Sequence, residues 1–224
     1  MLNPDHFQAM PWDRAVFGVP CFEITRPDEA ALSKASCTPG HYTVKVDPLA
    51  DASALERHGF YYTGSLISPR CDQAHFAAHA HPDVSVDAHV QLSEILPMCD
   101  NSFDHGRFHR DFNLPAEAAT RRYKQWLAQL HAANSVIGLR YQQQTAAFIA
   151  HNDGSLLLHA MQADFRGQGL AKYLWSAAIQ DIFSQGAREI RSSISPVNLA
   201  ALNLYASLGF RFDGAQDVYH RLTR

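Results

Sequence analysis

Apolar and polar positions change period several times along this chain, and the changes divide it. "HYTVKVD" alternates: Tyr42, Val44 and Val46 fall on one face, and His41, Thr43 and Lys45 on the other, which predicts a half-buried strand. The "TPG" before it marks a turn. "DASALERHGF" predicts a short helix with Asp51 or Ser53 as N-cap and Gly59 just past its end. "FYYTGSLIS" predicts a second strand. From Ser68 to about Asp83 the chain turns to Pro, His, Ala and Asp without period, which reads as a linker. The expected division is therefore a small α/β domain over 1–68, a linker over 69–83 and a second domain over 84–224.

In the second part, "QLSEILPMCDNSF" and "PAEAATRRYKQWLAQLHAA" are helical. The latter carries Ala118, Tyr123, Trp126, Leu127 and Leu130 as an apolar stripe, and Pro115 at its start. "SVIGLRYQ" and "TAAFIAHN" predict strands joined by a polar turn. "DGS" marks a second hairpin, and "LLLHAMQ" the strand after it. A Gly-rich loop then leads into a helix from about Gly169 to Gln185, with Gly186 as its stop. "EIRSSIS" predicts a strand, "NLAALNLYASLGF" a helix ending at Gly209, and "DVYHRLTR" a last strand. Strands and helices in this order predict a mixed sheet flanked by helices. There is also an internal echo. "SALERHGFYYTG" and "NLYASLGFRFDG" both run from an apolar helix through Gly-Phe into an aromatic strand. Such a junction is common, so chance similarity and a truncated copy both account for it.

Composition removes several classes. Lys plus Arg is 19 and Asp plus Glu is 22, a formal net charge of -3, so no nucleic-acid or anionic-membrane partner is expected. "MLNPDHFQAM" has neither a basic flank nor an apolar core, so it does not predict a signal peptide. No apolar stretch approaches the ~20 residues of a membrane span. The four cysteines, Cys21, Cys37, Cys71 and Cys99, form no CxxC and fit a reducing compartment, which predicts a cytoplasmic protein.

The chemistry concentrates in "MQADFRGQGLAKYLW". A glycine-rich turn between a strand and a helix exposes backbone N–H groups at the helix N-terminus. Together with the helix dipole they form an anion site. No Gly-Lys-Ser/Thr follows and the spacing is not G-x-G-x-x-G, so neither common nucleotide loop is present. Arg166, Gly169 and Ala171 match R/Q-x-x-G-x-G/A. Asn198, Ala201, Leu204, Tyr205, Gly209 and Phe210 match N-x-x-A-x-x-L-Y-x-x-x-G-F. In these two motifs and in their order the chain resembles the GNAT acyltransferase superfamily. The "PWDRAVFGVP" segment, with Trp12, Asp13, Phe17 and Gly18, resembles the opening of the subgroup that acetylates dTDP-fucosamine, a 4-amino sugar nucleotide. "GRFHRDFNLPAEAATRRYKQWL", with Arg107, Phe108, Pro115, Tyr123 and Trp126, resembles that subgroup's middle segment. The subgroup carries a partial acetyltransferase-like domain before the full one.

The resemblance implies a mixed, splayed central sheet with a smaller partial copy before it, and acetyl-coenzyme A as donor. The backbone of Arg166, Gly167, Gln168, Gly169, Leu170 and Ala171 would cradle the pyrophosphate. "LLLHAMQ" would splay from "EIRSSIS" and hold the pantetheine arm, an N–H near Met161 would stabilise the oxyanion, and Asn198 would bond the coenzyme arm. Trp12, Phe17, Arg107 and Phe108 would meet the acceptor, a small-molecule amine carried on a nucleotide-linked sugar. A homodimer is a candidate assembly. Tyr205 is the natural general acid for the departing thiolate. With ordinary pKa values of about 10 for a phenol and 8.5 for a thiol, that proton transfer is uphill by roughly 2 kcal/mol. His159, two residues before Met161 and so on the same face, is a candidate base; a buried core histidine, or proton loss to water, accounts for it equally.

Other readings stay open or fall. His75, His79 and His81, or His105 and His109, could bind zinc but lack a Cys partner or an H-E-x-x-H pattern, so no metal is expected. Arg107 and Arg110 fit either a diphosphate or a solvated pair. The alternative functions are acetylation of another small amine, an antibiotic or a protein amine, and a coenzyme-binding module without catalysis.

Overall fold

The computed structural model describes residues 2–224. In chain order the elements are β1 (Phe7–Ala9), α1 (Pro11–Phe17), β2 (Cys21–Ile24), α2 (Glu29–Cys37), β3 (Gly40–Val46), α3 (Ser53–Arg57), β4 (Tyr61–Asp72), β5 (Val84–Asp87), α4 (Leu92–Ile95) and a 3-10 turn over Leu96–Cys99. They continue with α5 (Ala116–Ala132), β6 (Val136–Tyr141), β7 (Gln144–Asn152), β8 (Ser155–Met161), a 3-10 turn over Ala163–Phe165, α6 (Ala171–Ser184), β9 (Glu189–Arg191), α7 (Leu199–Ser207) and β10 (Arg211–Thr223). The chain forms two compact units. One holds the residues up to Leu66 with Asp104–Arg122 and Ala215–Arg224; the other holds Ile67–Phe103 with Tyr123–Gly214. None of the four boundaries falls within the expected linker, and the first unit is assembled from three separate stretches.

In the first unit β1 pairs antiparallel with β2, β2 parallel with β3, and β3 antiparallel with the C-terminal half of β10. Paired on both sides, β3 is a central strand. Its second face is also covered: His41 and Thr43 are buried along with Tyr42 and Val44. The expectation of a half-buried strand therefore fails, because that face is covered as well and His41 on it is held inside by a hydrogen bond to Asp111. Tyr42, Leu32, Ala35, Val44 and Phe60 form the apolar core on the other face. Local signals account for the short helices. α1 begins at Pro11 and stops at Gly18 with φ 72°, and Asp28 caps α2 by accepting from the Ala31 N–H at 2.9 Å. The N-cap of α3 is Ala52, not Asp51 or Ser53; Asp51 instead accepts from the Ser53 N–H at 2.8 Å.

In the second unit the outer end of β4 pairs antiparallel with β9, β9 touches β8 in parallel, and β8, β7, β6 and β5 follow antiparallel. The two hairpins use two-residue turns with φ above zero at both positions, Gln142–Gln143 and Asp153–Gly154, as right-twisted strands require. Alternate residues of β7 enter opposite cores. Ala147 and Ile149 pack with Leu174, Ile179 and Ile182 of α6, while Phe148 and Ala150 pack with Leu127 of α5. The stretch expected as a linker is built in. Residues 69–72 complete β4, the Ala77 N–H donates to the Leu208 carbonyl (3.0 Å), and the His79 N–H donates to Ser176 Oγ (3.0 Å).

The internal echo has a structural counterpart. After α3 the Gly59 N–H donates to the Glu56 carbonyl and the Phe60 N–H to the Leu55 carbonyl, with Gly59 at φ 69°. After α7 the Gly209 N–H donates to the Ala206 carbonyl and the Phe210 N–H to the Tyr205 carbonyl, with Gly209 at φ 85°. Both phenylalanines are buried. In this register Leu55 occupies the place of Tyr205.

Candidate active site

The site is built around the C-terminal end of β8. The Gln162 amide donates to the Ala146 carbonyl at 2.8 Å, so Met161, opposite Ala147, sits at a non-hydrogen-bonded position of the β7–β8 ladder. Its own N–H and C=O therefore point away from β7. On that side β9 is absent: β8 and β9 share one pair, Ser155 with Arg191, and then part. β9 is shorter than the predicted "EIRSSIS"; beyond Arg191 an isolated bridge joins Ile194 to Ile67, drawing the chain toward β4.

The loop after β8 keeps its backbone open. Gly167 and Gly169 adopt φ 75° and 73°, where a side chain is strained, and an added Cβ at either position would meet no atom within 4 Å. Leu170 caps α6 without a side-chain hydrogen bond, so the first amides of Ala171 and Lys172 lack an intrahelical acceptor. The first turn of α6 has no acid and contains Lys172. A cation at a helix N-terminus opposes the dipole and is repaid when an anion binds there. Arg166 has a structural job. Its Nε donates to the Met161 carbonyl (2.9 Å) and another nitrogen to Ser102 Oγ (2.6 Å), which ties the loop to the end of β8. The Gln168 side chain donates to the Asp164 carbonyl at 2.5 Å. What the loop offers a ligand is thus mainly backbone.

Near this end of β8 two side chains from different elements meet. Tyr205 of α7 is completely buried, and its hydroxyl is 3.0 Å from His159 Nε2 on β8. Burial pushes the Tyr205 phenol up, a hydrogen bond with Ser192 offsetting part of the shift, and burial pushes His159 down to about 4. Both groups are neutral near pH 7. Ser192 also reaches across the gap, its hydroxyl 3.4 Å from the Leu156 carbonyl. The Trp175 ring stands edge-on to His159 at 5.4 Å. Asn198 does not extend from the loop as a free amide: its side chain caps α7, accepting from the Ala201 N–H at 3.2 Å, and only its amide nitrogen remains for a ligand.

The four residues expected at the acceptor lie in the first unit, and three of them meet. The Phe17 and Phe108 rings are 5.4 Å apart, and the Arg107 and Arg122 guanidinium groups lie 4.8 and 5.1 Å from the Phe108 centroid. Trp12 is 40% exposed on α1. Asp13, beside it, is buried and accepts from Arg122 Nε at 2.8 Å, so this part of the motif is structural. Arg110 points elsewhere, donating to the Thr63 carbonyl at 2.9 Å.

Sequence reasoning missed a buried cluster behind Phe108. His41, Asp111 and His220 converge with their ligand atoms within 4.8 Å of one another. They lie on β3, on the segment before α5 and on β10, so no local spacing signals them. Ser192 and Trp175 were also missed, the first because it falls just past a strand end and the second because it resembles any apolar helix residue. Of the histidines weighed for zinc, His75 is bonded to Asp72 at 2.7 Å, and His79 and His81 both stand edge-on to Tyr173.

Parted strands, a glycine loop opening a helix and a buried tyrosine bonded to the same strand thus occur together. Residues 104–210 match the acetyltransferase (GNAT) family. Among solved structures, the chain is similar to a GCN5-related N-acetyltransferase from Sphaerobacter thermophilus (12% identity, TM-score 0.58), covering 84% of this chain and 61% of that one. It is similar to a conserved protein of unknown function from Staphylococcus epidermidis ATCC 12228 (13% identity, TM-score 0.62, 92% and 84% covered). It is also similar to a tandem GNAT protein from the clavulanic acid biosynthesis pathway (12% identity, TM-score 0.56, 92% and 76% covered). At such identities these likenesses show the fold, which is that of the GNAT acetyltransferases. A comparison with curated proteins finds no match. Among the described residues no helix is long and apolar enough to cross a membrane.

Proposed function

We propose that this protein is an acetyl-coenzyme A-dependent N-acetyltransferase acting on the amine of a nucleotide-linked amino sugar. The observation that carries the reading is the coincidence toward one strand end of three things: the Met161 N–H turned outward where β8 and β9 part, an open glycine loop on an uncapped, acid-free helix start, and Tyr205 bonded to His159 of the same strand. The loop amides from Arg166 to Ala171 take the pyrophosphate of the donor, and the open edge of β8 takes its pantetheine amides. The residues around Phe108 take the acceptor, whose class rests on the likeness of Trp12, Phe17, Arg107 and Phe108 to the amino-sugar subgroup.

The acceptor amine, as the free base, attacks the thioester carbon. A carbon–nitrogen bond forms, and the Met161 N–H receives the oxyanion. The carbon–sulfur bond then breaks, Tyr205 gives its proton to the thiolate, and the proton shed by the new amide nitrogen restores the phenol through water or His159. Burial keeps the proton on Tyr205 until sulfur departs. The same dry surroundings raise the basicity of the thiolate, so the transfer stays within reach. His159 acts as a positioning residue. With its proton on Nε2 it donates to the phenol oxygen, leaving the phenol O–H free to face the sulfur. A reducing, acetyl-coenzyme A-containing cytoplasm suits the donor and the four free cysteines.

The test is amine-dependent release of free thiol from acetyl-coenzyme A, with sugar nucleotides, free amino sugars, polyamines, aminoglycosides and peptides as acceptors. Thiol release that requires an amine supports the enzyme reading. Tight coenzyme binding with no release for any amine favours a non-catalytic module.

A further inference from the structure

His220 holds a polar atom that the fold leaves unused. Asp111 accepts four hydrogen bonds: Oδ2 from His220 Nδ1 (2.8 Å) and His41 Nε2 (3.0 Å), Oδ1 from the Tyr61 hydroxyl (2.9 Å) and the Asn113 N–H (2.9 Å). Burial pushes the Asp111 carboxyl up, but the bonds from His220 and His41 outweigh it and hold the group well below the usual carboxylate range. An ionised carboxylate only accepts, so His220 carries its proton on Nδ1 and presents a lone pair on Nε2. That Nε2 is buried and has no partner among the described residues. Buried acceptors are rarely left so, because their lost hydration goes uncompensated.

The surroundings state what could reach it. The Phe108 ring centroid is 5.6 Å from that of His220, with Arg107 over its face and Phe17 beside it. Phe17 and Arg107 are half-exposed, whereas Phe108, His41 and His220 are buried. The cluster thus combines a half-exposed cation and aromatic ring with a buried acceptor nitrogen. Burial, His41 and the Arg107 charge together bring His220 down to about 3, so it stays neutral and accepts. An ammonium placed there would face Arg107. A metal ion would have to compete for a carboxylate whose four bonds are already made.

We propose that His220 Nε2 is a specificity-determining acceptor for a ring hydroxyl of the sugar, with the aromatic face of Phe17 against the sugar's C–H surface and Arg107 against its phosphate. This deepens the acceptor reading above and rests on it. A site built to receive a hydroxyl discriminates strongly against ligands that lack it.

The experiment compares wild type, His220→Asn and His220→Gln with dTDP-4-amino-4,6-dideoxygalactose. Asn keeps a group at the place of Nδ1, beside Asp111, and removes the acceptor; Gln keeps a polar atom at the place of Nε2. The expected result is a rise in KM and calorimetric Kd for the sugar nucleotide of roughly ten- to a hundred-fold in His220→Asn, with kcat and coenzyme A affinity retained and partial rescue in His220→Gln. As a readout on the intact protein, nitrogen NMR of histidine-labelled wild type should show an unprotonated Nε2 at His220 that shifts when the sugar nucleotide is added. If the sugar nucleotide is turned over but KM and the nitrogen signal do not move, this inference fails while the acceptor reading stands. If no sugar nucleotide is turned over, the acceptor reading fails and takes this inference with it. Stoichiometric Zn²⁺ binding in equilibrium dialysis, lost in both His41→Ala and His220→Ala, would overturn it in favour of a metal site.

Discussion

Tyr205 is where residue-scale chemistry is most exposed to test. Its hydroxyl is buried against His159, and in the proposed mechanism it acts in the transition state, so Tyr205→Phe should lower kcat by about ten- to a thousand-fold and leave the KM for acetyl-coenzyme A almost unchanged. Steady-state kinetics decides this; unchanged turnover rules out the general acid. Acid should also weaken the fold. His159 and His220 have folded pKa values below that of an unfolded histidine, at about 4 and about 3. The unfolded chain therefore binds protons that the native state refuses, and stability falls as pH drops from about 6.5 toward those values. Asp111, held low, adds a loss of the same sign further down. Thermal melts from pH 8 to 4 should show Tm falling below about 6.5, and His220→Gln should reduce the slope. Tyr205 and Gly169 were legible in the sequence because each sits in a short motif with local meaning. His41, Asp111 and His220 were not, since they are bonded across 70 and 109 positions. His41 even read as the polar face of an ordinary strand.

At the scale of elements, the claim is that the β8–α6 loop binds through its backbone. Gly169→Val should abolish most coenzyme A affinity while the protein stays folded, because the added side chain is strained at φ 73° and intrudes on the open face of the loop. Calorimetric titration beside a melting curve checks both halves; wild-type affinity in a folded variant would mean the loop does not hold the phosphates. The hairpins, α5, α6 and α7 could be read from period and turn residues, since each is long or ends in a strong signal. The first strands and helices could not: β1 has 3 residues, β2 has 4 and α1 has 7, too few to display a period. The expected linker misled for another reason. Its Pro-, His- and Ala-rich stretch lacks a period because it is irregular backbone, yet its amides are bonded to Leu208 and Ser176.

At the scale of the whole molecule, the α3–Gly59–β4 and α7–Gly209–β10 junctions share one hydrogen-bond pattern, and Leu55 stands where Tyr205 does. In the proposed function the first unit serves recognition, its matching junction carrying Leu55 in place of the phenol. Arg107→Ala should accordingly reduce kcat/KM for a nucleotide sugar by about ten-fold or more while coenzyme A affinity stays intact. Remote parts of a large acceptor orient the reacting amine, so the free amino sugar should be a much poorer substrate than its nucleotide-linked form. The most direct measurement is therefore a side-by-side rate of thiol release from acetyl-coenzyme A with dTDP-4-amino-4,6-dideoxygalactose, the matching free amino sugar, a polyamine, an aminoglycoside and a peptide, with the products checked by mass spectrometry. The account predicts that the sugar nucleotide is fastest and gains one acetyl group on its amine; a free amine or a peptide that outperforms it would contradict the account.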